Sequence, residues 1–90
     1  MSVTDGQSNL PDWWSWESEL STHVIKRMKD RSFTETDLRA MIEDVYELVP
    51  DVTPGRWLVR AALGGQEWAV IIEPDDGEQV VVVVTAYPVE

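Results

Sequence analysis

Cysteine is absent from the chain, which excludes a disulfide framework and a thiolate zinc site. Histidine occurs once, too few for an imidazole-rich transition-metal centre. Basic residues are scarce, 7 against 17 acidic ones, for a formal net charge of −10. Sequence-blind binding to nucleic acid draws most of its affinity from phosphate neutralisation, so this balance argues against it while leaving room for a local basic site. No apolar run approaches the roughly 20 residues of a membrane span, and no membrane association is expected. The first nine residues show no basic segment followed by an apolar one, so no secretory signal is read. Residues 1–9 are expected to form a flexible leader, residues 10–90 one domain, and the compartment to be the cytoplasm. No glycine loop precedes a helix to cradle phosphate, and Asp75, Asp76 and Glu78 lack calcium-loop spacing, so no cofactor is expected.

What is present folds. The apolar fraction is 43%, with five tryptophans, enough for a thin core in a chain of this length. Two openings fit the N-terminal half. Trp13, Trp16, Leu20, Val24 and Met28 have helical spacing, which predicts one long helix from about Asp12 to Asp30. Alternatively Ser21, a good N-cap residue, starts a shorter helix and leaves the tryptophans on a separate arm. Residues 22–30 are helical in both. Thr34 and Asp37 have the spacing of a capping box and Phe33 and Leu38 that of a hydrophobic staple. That second helix is expected to run to about Tyr46 or Leu48, ahead of Pro50.

From Arg56 the period changes to two. Trp57, Val59, Ala61 and Leu63 alternate with Arg56 and Arg60. Gly64-Gly65 is a two-residue hairpin signal, Gln66–Glu73 a second strand, Asp75-Asp76-Gly77 a turn, and Gln79–Tyr87 a third strand. Strict alternation puts Val80, Val82, Val84 and Ala86 on one face, and Val81, Val83, Thr85 and Tyr87 on the other. Both faces of that strand need cover. The expectation is an α+β two-layer sandwich, with two helices on a three-stranded antiparallel meander.

His23-Val-Ile-Lys-Arg27-Met-Lys-Asp-Arg31 holds the lone histidine and four of the seven basic residues. His23, Arg27 and Arg31 are spaced to stack on one helical face. Imidazole is the usual general acid or base near neutral pH. Arg27, with Arg31 or Lys26, could hold a phosphate by charge-assisted hydrogen bonds. The plainer reading is a solvated basic face that pairs with the surplus acids. Glu19 could orient His23 if the long helix forms. Arg56 and Arg60 share a strand face and could extend the positive patch, or simply pair with Glu67 or Glu73.

These residues carry a likeness. His23 to Arg31, followed by Phe33-Thr-Glu-Thr-Asp37-Leu38, resembles a family of short bacterial domains of unknown function, kin to the BrnT and RelE type ribonuclease toxins. Gly55-Arg56-Trp57-Leu58-Val59-Arg60 and the Thr85-Ala86-Tyr87 strand end extend it over residues 20 to 88. The resemblance implies a small metal-independent endoribonuclease that acts on RNA and is held by an antitoxin protein. It would make His23 the acid–base group, put Arg27 and Arg56 on the phosphate, and line the site with Thr85 and Tyr87. Arg31 and Arg60 would extend the phosphate contact. The alternative expectation is a non-catalytic acidic interaction module, or a homodimer formed through the Val80–Val84 strand or the Trp13–Trp16 arm.

Overall fold

The computed structural model describes residues 11–89, and the leader expected at 1–9 lies outside them. A 3-10 turn, Asp12–Ser15, leads into strand β1, Glu17–Leu20. Helices α1, Thr22–Arg31, and α2, Glu35–Glu43, follow. Strands β2, Glu47–Pro50, β3, Trp57–Leu63, β4, Gln66–Asp75, and β5, Val80–Pro88, complete the chain. The sheet order is β1-β5-β4-β3-β2, antiparallel throughout except for the parallel β1–β5 pair. The α+β class holds. The three antiparallel strands expected are the middle of a five-stranded mixed sheet, whose two short edge strands were not anticipated.

The long-helix opening is overturned at Ser21. Its hydroxyl accepts the Val24 amide at 3.0 Å and donates to the Val84 carbonyl at 2.8 Å. Its own amide reaches the Val83 carbonyl at 3.1 Å. One residue thus caps α1 and ties its start to β5. Ahead of it, Glu17 to Leu20 pair with Val80 to Val83 and close the edge of the valine strand. Leu20 packs on the core while Glu17 and Glu19 lie on the sheet's other face. Glu19 and His23 are therefore not on one helix, and the expected i,i+4 stacking between them does not form.

At α2 the capping box forms as read. Thr34 Oγ1 accepts the Asp37 amide at 3.1 Å, and Asp37 Oδ2 accepts the Thr34 amide at 3.0 Å. Phe33 and Leu38 are both buried beneath it. The helix stops at Glu43, short of the expected end. Glu47–Pro50 instead forms a ladder on β3, with Glu47 opposite Arg60 and Pro50 opposite Trp57. Leu48 turns to the core there, and Pro50 lies on an edge strand, where its missing amide costs no ladder bond.

Both helices cover one face of the sheet. Val24, Leu38 and Met41 meet Val59, Val70, Ile72 and Val83 in a core whose side chains are essentially sealed. Gly64 and Gly65 take φ of 59° and 81°, the positive values a two-residue hairpin needs. The β4–β5 register shifts at Ile71/Ile72, where Ile71 faces Thr85 and Ile72 faces Val83. Val84 is the extra residue of that bulge. Alternation fails there, so Val81, Val83 and Ala86 share the core face, while Thr85 and Tyr87 join Val80 and Val82 outside.

Candidate functional site

α1 shows what its sequence spacing demands. Val24 goes to the core, Met28 packs at its edge, and His23, Lys26, Arg27 and Asp30 fall on a neighbouring face by their i, i+3, i+4, i+7 spacing. These four line an open hollow of about 240 Å³. His23, Lys26 and Asp30 are exposed, and Arg27 is half-buried against the helix rim. Arg31, one turn further on, is exposed and does not line it. A hollow with an imidazole, an ammonium and a guanidinium can hold an oxyanion and move a proton beside it. Asp30 supplies the single acid. It was not singled out from the sequence, although the same spacing reaches it.

The strand residues lie elsewhere. Arg56 pairs with Glu73 at 3.0 Å, and Arg60 pairs with Glu67 and, at 3.5 Å, with Glu47. Register places Glu47, Arg60 and Glu73 on the sheet face away from the helices, with Thr85 opposite Ile71 and Tyr87 opposite Ala69. His23, Lys26 and Arg27 are brought together. Arg56, Arg60, Thr85 and Tyr87 sit on the far side of the sheet, so the structure does not gather them around the imidazole.

Arg60 organises the outer cluster electrostatically. Its hydrogen bond holds the Glu67 carboxyl below the usual carboxylate range, with Tyr46 adding to the effect. The Arg60 guanidinium is raised in turn by the same carboxylate. The Tyr46 phenol is pushed up by partial loss of water and by Glu67. Because the folded value for Glu67 is depressed, its stabilisation is full above the ordinary carboxylate value of 4.5 and fades as pH falls through the depressed one. The urea midpoint of wild type minus that of Glu67→Gln should therefore stay constant from neutrality to about pH 5 and shrink below it. A difference that grows on acidification would contradict the assignment.

The chain is thus a two-layer α+β protein with two helices on a five-stranded mixed sheet and a basic, imidazole-bearing hollow on its first helix. It belongs to the family described as a domain of unknown function, DUF4258, which matches residues 20–88. The match takes in both helices and the strands β2 to β5, and it begins at the last residue of β1. No curated protein and no solved structure matches the chain. No helix among the described residues is long and apolar enough to cross a membrane.

Proposed function

We propose that the protein is a metal-independent endoribonuclease of the toxin–antitoxin kind, acting from the α1 hollow. One observation carries the reading. Of the seven basic residues, Arg39, Arg56 and Arg60 pair with acids, while Lys26, Arg27, Lys29 and Arg31 form no ion pair among the described residues. All four lie on α1, beside the lone imidazole. In a chain with 17 acids, that segregation leaves one surface fit for a phosphate. The reaction class is taken from the resemblance of His23–Arg31 to a family of short domains read as kin to the BrnT and RelE type toxins.

His23 takes the proton of a ribose 2′-hydroxyl, whose oxygen attacks the adjacent phosphorus. Arg27 and Lys26 stabilise the charge that builds on the phosphate oxygens. The 5′-oxygen leaves and is protonated from solvent at this open site, giving a 2′,3′-cyclic phosphate and a 5′-hydroxyl. The need for the 2′-oxygen selects RNA over DNA. An antitoxin would act by covering α1. The test is incubation of the purified chain with matched RNA and DNA strands in excess chelator. RNA should shorten to cyclic-phosphate ends while DNA survives. RNA that stays intact, or cleavage that the chelator abolishes, rejects the proposal.

A second reading rests on the sheet face opposite the helices. Val49, Leu58, Ile71 and Thr85 form one largely apolar row across four strands, and among the described residues no helix lies over it. A second copy could dock there face to face. β5 lies between β1 and β4, so association through Val80–Val84 would use the outer face of that strand. In the Trp13–Trp16 arm the Trp13 ring packs on Trp57 at 5.5 Å between centroids. Leu58 is flanked on its own face by Arg56 and Arg60, so Leu58→Glu should leave the fold intact and disperse a dimer. Sedimentation that shows a wild-type monomer at every concentration would exclude self-association by this face.

A further inference from the structure

A second concavity, of about 200 Å³, opens at the other end of the helix layer. Its apolar lining includes Ile72 and Val81, so it reaches the core. Trp14 and Trp16, held by the 3-10 turn, add two half-buried indoles. Arg39 and Glu43 come from α2.

The charge at this site is not balanced. Arg39 is tied to Glu35, one turn back, by bonds of 2.8 and 3.2 Å to a single oxygen. Glu43, four residues after Arg39, forms no ion pair among the described residues. It is the last residue of α2, where unsatisfied carbonyls carry partial negative charge, and the last turn contains no basic residue to offset them. Asp44 caps the same end. Indole faces attract cations through their quadrupole, and more strongly where water is partly excluded. An uncharged aromatic ligand would gain from the indoles but leave the carboxylate and the helix end without a partner.

We propose that this concavity binds an organic cation, either an alkylated ammonium group or the guanidinium of an arginine presented by a peptide. The cation enters between the tryptophans and the C-terminal end of α2, with Glu43 as its counter-charge. The site is separate from the His23 hollow and shares no residue with it. The proposal therefore stands or falls independently of RNA cleavage.

Three probes decide it, read through the indole N–H resonances of Trp14 and Trp16, each assigned with a Trp→Phe variant of the full chain. Choline and 3,3-dimethylbutan-1-ol have the same shape and differ in charge. Choline or N-acetylarginine amide should shift both resonances saturably, and whichever binds more tightly names the source of the cation. The neutral alcohol should bind about tenfold more weakly than choline, and the exposed Glu43→Gln variant should weaken the cations about fivefold while leaving the alcohol unchanged. Equal binding of choline and the alcohol, cation binding indifferent to Glu43→Gln, or no shift with either cation would each overturn the proposal.

Discussion

Replacing His23 with alanine is expected to lower RNA cleavage by about 10²- to 10⁴-fold, the range lost when a positioned acid–base group is removed. The ring is exposed and makes no side-chain hydrogen bond among the described residues, so the fold should be unaffected. Thermal midpoints should confirm this, since surface changes of this kind usually stay within about 0.5 kcal/mol. Arg27→Ala should cost roughly 10²- to 10³-fold, like the loss of one group that stabilises developing charge. Lysine at 27 should recover only part of that, because an ammonium keeps the charge but not the planar fork. Arg56→Ala and Tyr87→Phe, across the sheet, should leave the rate unchanged. The contrast is diagnostic. A contaminating nuclease would ignore His23, and a site assembled from the strands would respond to Arg56.

The basic hollow was legible because α1 is a helix under either opening. Spacing alone then places residues 23, 26 and 27 together, whatever precedes them. What spacing could not supply was the position of that helix relative to the sheet. Arg56 and Arg60 alternate correctly on β3, yet alternation fixes two faces without saying which one meets the helices. The structure resolves it through Trp57, Val59 and Ala61, whose side belongs to the core, and the arginines are left with Glu73, Glu67 and Glu47. Pairing with Glu67 or Glu73 was the plainer alternative for both residues, and it is the one that forms.

The two edge strands escaped for different reasons. Glu17-Ser-Glu-Leu20 carries a single apolar residue, and its strand conformation comes from the ladder offered by β5 rather than from any pattern of its own. Val45 to Val49 suits a helix in period and a strand in composition, and the free edge of β3 decides between them. These additions change the surface. The parallel pairing of β1 shields the valine strand by hydrogen bonding, and β2 brings Glu47 to Arg60. The sheet face away from the helices is consequently striped. An apolar row runs between one that holds Glu47 and Arg60 and another that holds Glu73, Val82 and Glu19. Ile71, in the middle of that apolar row, is only 8% exposed.

The largest stability effect expected anywhere in the molecule separates two adjacent valines. Val83 is 0% exposed, paired with Leu20 and Ile72 and part of the same buried cluster as Val24 and Met41. A lysine there would bury an ammonium with no acid in reach, because the core-facing positions beside it are aliphatic. The penalty for an unpaired buried charge exceeds what a small domain holds in reserve, about 5–15 kcal/mol in total. Val83→Lys should therefore show no cooperative urea transition and little fixed tertiary structure by near-ultraviolet dichroism. Val82 faces the other way, between Glu19 on β1 and Glu73 on β4. Lysine at that position keeps its charge in water beside two carboxylates, and the change should stay within about 1 kcal/mol of wild type. The same substitution one residue apart thus reads directly which face of β5 meets the core. If Val82→Lys unfolds and Val83→Lys survives, the core face assigned to this strand is wrong.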